Sequence, residues 1–464
     1  MQGKWKLVNL VIIVATLVLS GFGCQGLSKE QQAATKPVAL EYWTVFDDVE
    51  ALQALIDKYR ADRPYLSITL RQLRSDELYP RLVEALAEDR GPDIISISSR
   101  TLGQFQSKLA TMPASVPDAV VSVQRGTLGT KTQVFTRTSQ LPTLDQLDRE
   151  YLQAVGKDVV RGGKMYGLPL SVDTMAVYYN KDLLDRAGVA EPPKNWDEFQ
   201  AAVKKMSRFD KASGKILQAG VAFGTGNNIP GSDDIIAMLF KQSGIDMLSR
   251  DGQVVFNIPP RNGDRNSATP VMAVMNFYTD FANVNRDTYS WNEQMGNALD
   301  AFVSGRVGFF FGYSYHLPII KARAPQLNFR VLPLFQLNPD QPVNIANYWI
   351  QTVVGKSKHQ DEAWALINYL THSPATQEYV EQTGRPTALR AYIPKQKEIL
   401  DLQPFVENLL VAETWYRGNN YEAGVRAVND MLHDWLQDPP NQDYINEWRQ
   451  NILDRAAAKI SQTL

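Results

Sequence analysis

The chain has 464 residues, 44% of them hydrophobic and 21% charged, an ordinary globular composition that admits one large bilobal unit or two to three domains. Its formal net charge of −2 argues against capture of nucleic acid or of an anionic membrane through overall charge, and makes a neutral solute the simpler partner. A single cysteine, Cys24, excludes an intrachain disulfide.

Residues 1–23 read as a secretory signal: Lys4 and Lys6 precede an apolar run from Leu7 to Leu19, broken only by Asn9 and Thr16, and small residues lead to Cys24. The run is too short for a membrane span. Cys24 stands where a lipoprotein signal peptidase would leave it as the first residue, so a thioether-linked diacylglycerol is its expected fate; a buried free thiol is the alternative. Leu19 to Cys24 resembles a bacterial lipobox, with Gly21 in place of the usual leucine. Loss of residues 1–23 takes two lysines and moves the net charge from −2 to −4. The polar stretch 24–37 has no apolar periodicity and reads as a tether.

Folding is expected to begin at Val38. Val38 to Val45 reads as a strand, and a helix beginning at Asp47 puts Val49, Leu52, Ile56 and Tyr59 on one face. Leu66 to Leu70 reads as a strand, Ser75 to Asp89 as a helix, and Asp93 to Ile97 as a third strand, an alternation that predicts a parallel, doubly wound sheet. Leu109 to Gln146 reads as a surface excursion with an alternating patch at Thr132 to Thr138 that suits a hairpin. Alternation restarts with a strand at Met175 to Tyr179, and Asn195 with Glu198 forms a capping pattern ahead of Phe199, Val203 and Met206. A strand at Gly220 to Phe223, helices at Ser232 to Gln242, Pro270 to Phe281 and Asn297 to Ser304, and a strand at Val307 to Phe311 follow. From His359 the pattern is almost wholly helical, including one long stretch from Tyr421 to Ile460. Two α/β lobes are implied.

Catalytic motifs appear only as near misses. Gly126 to Thr132 resembles a phosphate loop but has Thr130 where a glycine must let backbone amides wrap the phosphate. Gly312 to His316 lacks the last glycine of a nucleophile elbow, and Gly224-Thr225-Gly226 lacks the third glycine of a dinucleotide turn. The four histidines, His316, His359, His372 and His433, have no metal-ligand spacing. No cofactor is expected. Asp47-Asp48 and Asp233-Asp234 begin predicted helices, where capping and offset of the helix dipole account for at least one carboxylate of each pair.

Several segments in order resemble the extracellular solute-binding proteins of carbohydrate importers, the family that includes maltose-binding protein. The most specific runs from Tyr166-Gly167-Leu168-Pro169-Leu170 through Asp173-Thr174 into Val177-Tyr178-Tyr179-Asn180 and Ala187-Gly188-Val189. Further matches are Pro192 to Phe199, Gly91-Pro92-Asp93-Ile94-Ile95, Phe302 to Phe309, and Lys356-Ser357-Lys358 through Ala363-Trp364 to Asn368-Tyr369-Leu370. The resemblance implies a periplasmic-binding-protein-like fold of two doubly wound lobes: 38–172 and 350–398 in lobe one, 175–346 and 402–464 in lobe two, crossing near 171–175, 346–351 and 394–403. It also implies a monomeric, lipid-anchored, extracytoplasmic protein that binds a sugar without turnover and delivers it to the permease subunits of an ABC transporter. The competing readings are an anchored glycan-processing enzyme, or the same fold binding a peptide, polyamine or anion.

By position, the expected ligand contacts from lobe one are Trp43 and Asp47 after the first strand, Ser99 and Arg100 after Ile95, and Asp173 at the first crossing. Lobe two supplies Asn227, Asn228, Trp291 and Tyr313; Trp349 lies on the next crossing, followed by Arg385 and Trp415. Nine tryptophans and nineteen tyrosines provide enough aromatic surface to stack on sugar C–H faces, although each ring chosen fits core packing as well. The Ile97-Ser98-Ser99 context lacks the aromatic residue that maltose-binding protein carries after this strand, which argues against a long maltodextrin.

Overall fold

A computed structural model describes residues 28–126, 129–259, 267–372 and 374–464; the expected signal segment and Cys24 lie outside the described residues. Two five-stranded sheets each support a separate hydrophobic core. In the first sheet Leu66–Gln72, Val38–Thr44 and Ile94–Ser98 run parallel, with Val38 opposite Leu66 and Tyr42 opposite Ile94. Trp349–Val353 joins Ile94–Ser98 antiparallel, and Leu168–Pro169 completes the order. A purely parallel sheet is therefore not formed. The chain leaves this lobe, builds the other, and re-enters from the hinge side, so the returning strand runs against the first three.

The second sheet has the order Arg208–Phe209, Ile216–Val221, Val307–Gly312, Ala176–Asn180, Phe329–Pro333, with Ala176–Asn180 antiparallel to both neighbours. Helices cover both sheets through apolar stripes at helical spacing. Val49–Arg60 buries Ala51, Leu52, Leu55, Ile56 and Tyr59, and starts where Asp48 Oδ1 accepts the Ala51 amide at 2.9 Å. Truncating Leu52, wholly buried, to alanine would cost about 2–5 kcal/mol. Trp196–Met206 is capped as expected, with Asn195 Oδ1 accepting the Glu198 amide at 2.9 Å. The expected single C-terminal helix is two, Tyr421–Trp435 and Ile445–Ser461, because Pro439-Pro440 interrupts the run. Among the described residues no helix is long and apolar enough to cross a membrane.

Core membership changes lobe between Val172 and Met175 and again between Ile345 and Ala346. A small third sheet lies at these changes: Asn344–Asn347 pairs antiparallel with Asp173–Thr174 and parallel with Ala412–Glu413. The third crossing, expected at 394–403, falls instead at Ala412–Glu413. Ile393, Val406, Leu409 and Ala412 still pack in the first core, and only from Trp415 onward does the chain stay in the second. Short helical turns that open with Pro394 and Pro404 fill the interval, so no periodic element announces the change.

The excursion in lobe one is a longer hairpin than the alternating patch suggested. Ser115–Gly126 and Gly129–Gln140 pair antiparallel with Ser115 opposite Gln140, and the ribbon packs on the helix Gln360–Thr371.

Candidate functional site

The lobes meet through the ends of their strands and the starts of their helices. After the strand Ile94–Ser98, a 3-10 turn carries Arg100 of lobe one into the interface; lobe two opposes it with the first turn of Ser232–Gln242. That helix begins at Gly231, whose φ of 73° suits glycine, and has no side-chain cap. Asp233 and Asp234 are therefore not capping groups, contrary to expectation, and both point into the interface. Arg100 Nη1 donates to Asp234 Oδ2 at 2.9 Å and to the Tyr421 hydroxyl at 2.6 Å, while Nη2 donates to the Ala346 carbonyl at 2.8 Å. The Tyr421 hydroxyl in turn donates to Asp233 Oδ2 at 2.7 Å, an oxygen that also accepts Trp415 Nε1 at 3.1 Å. Tyr313 donates to Asp234 Oδ2 at 2.5 Å.

Burial pushes the Asp234 carboxyl up to about 6, against the pull of the Arg100 charge. The same burial opposes the charge on Arg100, but Asp234 beside it holds the guanidinium protonated. Within this network Arg100 Nε and Asp234 Oδ1 are buried without a hydrogen-bond partner among the described residues. A donor and an acceptor are thus left over at the lobe interface, each costly unless something satisfies it.

A second group of residues is aromatic. Phe46 and Trp349 stack with centroids 5.8 Å apart and planes 13° apart, and Tyr315 from lobe two meets Phe46 edge-on at 5.0 Å and 85°. All three rings are only partly covered. Arg385 lies over the Phe46 ring, its Cζ 4.4 Å from the ring centroid, and its Nη2 donates to the Phe46 carbonyl at 2.9 Å. Tyr315 also stacks on Tyr313, 5.7 Å away, so the aromatic group and the charged network are continuous.

Hinge contacts complete the site. Asp173 Oδ1 accepts the amides of Thr174 at 2.9 Å and Ser314 at 3.1 Å, and Oδ2 accepts the Ser314 hydroxyl at 2.7 Å. Burial raises its carboxyl to about 6, with the Ser314 hydrogen bonds pulling the other way. Asp158, also buried, accepts Tyr348, Thr414 and Arg417, so a second ion pair joins the first lobe to the chain just past the third crossing. Its polarity is the reverse of the first: lobe one gives the carboxylate here and the guanidinium at Arg100.

Of the residues expected at a ligand, Arg100, Asp173, Tyr313, Trp349, Arg385 and Trp415 come together at the lobe interface. Ser99 is buried beside Arg100, its amide donating to the Tyr348 carbonyl at 3.1 Å. Asp47 accepts the Thr44 hydroxyl at 2.7 Å and faces Gln351, and belongs to a buried lobe-one network. Trp43 lies elsewhere, beneath the Arg71 guanidinium at 5.7 Å with Nε1 donating to Glu41 at 2.6 Å, because strand alternation turns it toward the helix Ser75–Ala87. Trp291 is fully buried in the second core. Asn228 Nδ2 holds the loop after Trp291 through the carbonyls of Asn292 and Met295, and Asn227 beside it is exposed. Sequence reasoning misses Phe46, Tyr315 and Tyr421 as contacts, and assigns Asp233-Asp234 to a helix start. Among the described residues no three His, Cys, Asp or Glu side chains are grouped as a metal ion would require.

The chain is 24% identical over 268 residues to a putative binding protein of Brucella abortus, and spans about three-fifths of that relative's length, 59%. It is 21% identical to the multiple sugar-binding protein of Streptococcus mutans across 87% of both chains. The crystal structure of the cyclic alpha-maltosyl-1,6-maltose binding protein from Arthrobacter globiformis superposes with a TM-score of 0.68, covering 92% of this chain and 99% of that one at 19% identity. A tagatose-bound solute-binding protein from Thermotoga lettingae gives 0.64 at 19% identity, covering 92% and 99%. These likenesses establish the two-lobed fold of periplasmic binding proteins. Residues 44–377 match the bacterial extracellular solute-binding proteins, and the chain belongs to that family.

Proposed function

We propose that the protein captures a sugar or short oligosaccharide between its lobes and hands it to the membrane subunits of an ABC importer, without turnover. The observation that carries this reading is the stacked pair Phe46 and Trp349, met by Tyr315 from the other lobe and continuous with a network that leaves Arg100 Nε and Asp234 Oδ1 unpaired. Sugar rings offer apolar C–H faces and fixed hydroxyls; aromatic rings cover the faces, and charged planar groups pair with the hydroxyls. The sugar named for the Streptococcus mutans and Arthrobacter globiformis proteins supports this solute class. Asp173–Thr174, Asn344–Asn347 and Ala412–Glu413 are the proposed hinge, about which the lobes close on the solute. The family is extracellular by description. A lipid on Cys24 holds a monomer to the outer face of the membrane.

An acid/base role for Asp173 in glycan processing finds no support, because Thr174 and Ser314 occupy its oxygens. Calorimetry and thermal shift with a panel of neutral sugars test the reading, alongside a product assay. Saturable binding of at least one sugar without product is expected. Product above controls, or binding confined to peptides, polyamines or anions, overturns it.

A further inference from the structure

We propose that His316 is a positioning residue for the solute site: it accepts the Tyr313 amide and so sets the turn Tyr313-Ser314-Tyr315, which aims one ring at Asp234 and the other at Phe46. The inference rests on the capture of a sugar between the lobes proposed above. The turn follows directly on the strand Val307–Gly312, whose last residue lies opposite Ala176. Beyond that pair the strand ladder stops, and three successive backbone amides need other acceptors.

Side chains supply all three. The Tyr313 amide donates to His316 Nδ1 at 3.0 Å, and the amides of Ser314 and Tyr315 donate to Asp173 Oδ1 at 3.1 Å and Oδ2 at 3.4 Å. The Tyr313 carbonyl accepts the Tyr178 hydroxyl at 2.6 Å and the His316 amide at 3.1 Å. The turn is thus held from two sides, by Asp173 at the first crossing and by the first residue of the helix His316–Arg323. With its backbone fixed, it delivers the Tyr313 hydroxyl to Asp234 at 2.5 Å and the Tyr315 ring edge-on to Phe46 at 5.0 Å. Rings placed beforehand need no ordering when the solute arrives, which is how a residue raises affinity through others.

The imidazole is itself fixed. It is 4% exposed, stands edge-on to Phe310 at 5.1 Å and 90°, and packs on Tyr315 at 4.2 Å. Gly312 leaves room for it, since a Cβ there would fall 2.8 Å from Nδ1 and 2.6 Å from the Phe310 ring. Burial lowers the ring to about 4, so at neutral pH it is uncharged and Nδ1 can accept, with the proton on Nε2. Packing accounts for an aromatic ring at 316; the Tyr313 contact calls for an acceptor on it. The run Gly312 to His316, which in sequence resembles a nucleophile elbow, serves this turn instead: the Ser314 hydroxyl donates to Asp173, and the histidine accepts a backbone amide.

Two substitutions separate the acceptor from the ring. His316→Phe keeps an aromatic ring and removes the acceptor, whereas His316→Asn removes the ring and puts an amide oxygen near the place of Nδ1. The measurements are calorimetry with the sugar that gives the largest thermal shift, and crystal structures of both unliganded variants. His316→Phe should bind about tenfold more weakly with Tyr315 moved off Phe46, and His316→Asn should recover most of that loss with the turn in its native place. Wild-type affinity or an unmoved turn in His316→Phe overturns the inference, as does a His316→Asn protein as weak as His316→Phe. Should His316→Phe fail to fold, nitrogen NMR of the native protein decides: an unprotonated Nδ1 coupled to the Tyr313 amide across the hydrogen bond supports the role, and a protonated Nδ1 defeats it. If the wild type binds no sugar, the proposed solute falls, and the placement of the turn in the two variants alone decides the role of His316.

Discussion

Arg100 and Asp234 belong to different lobes yet form an ion pair of 2.9 Å with side chains only 4% and 2% exposed. A buried pair contributes little net stability relative to apolar packing, but removal of one partner strands the other and costs about 3–5 kcal/mol. Here the stranded charge has an escape, since opening the lobes returns it to water. Arg100→Met should therefore open the unliganded protein, seen as a larger radius of gyration in solution scattering, and weaken sugar binding by roughly 100-fold or more. Unfolding should change little. The double variant Arg100→Met, Asp234→Asn should lose less than the two single variants together. Unchanged scattering and affinity in Arg100→Met would refute the bridging role.

Asp173 gives a prediction for pH. Its folded carboxyl titrates at about 6 against an ordinary 3.8, chiefly through burial. The folded state therefore holds this proton more tightly than the unfolded chain; the stabilisation is complete below about 4 and lost as pH rises through about 6. Asp173→Asn lacks that loss. Its stability relative to wild type should rise by about 3 kcal/mol between pH 4 and pH 8 in urea denaturation, and a constant difference would contradict the burial account. His316 works oppositely in both proteins and cancels: burial lowers it to about 4, so its contribution is present above 6.5 and lost as pH falls through about 4.

Trp349 and Trp364 separate recognition from packing. Trp364 is 1% exposed in the first core, whereas Trp349 is half-buried against Phe46. Trp364→Ala should cost about 3–5 kcal/mol of stability. Trp349→Ala should keep the fold and lose about 1–3 kcal/mol of sugar binding, measured by calorimetry. A Trp349→Ala protein that binds like wild type would remove this ring from the site.

The lobes were legible wherever strand and helix periods are strong, as in Val38–Thr44, Val49–Arg60 and Trp196–Met206. The third crossing was not, because Ala412–Glu413 is a two-residue strand set among short turns and carries no period at all. In the site, Arg100 and Tyr313 follow strand ends and could be chosen from topology. Asp233 and Asp234 look like ordinary first-turn carboxylates, and their meaning comes from Arg100, Tyr313, Trp415 and Tyr421, which only folding brings near. Phe46 and Tyr315 were passed over for a similar reason, since a lone ring in a loop gains its role from the ring it meets. Trp43 and Trp291 show the converse, abundant aromatic residues absorbed by packing.

Capture of a sugar between the lobes is tested most directly by a crystal structure of the protein with the sugar that gives the largest thermal shift. The account predicts density for that sugar in contact with both lobes, against Phe46 or Trp349 on one side and Tyr315 or Asp234 on the other. Density confined to the outer surface of one lobe, under conditions where calorimetry shows saturation, would contradict it.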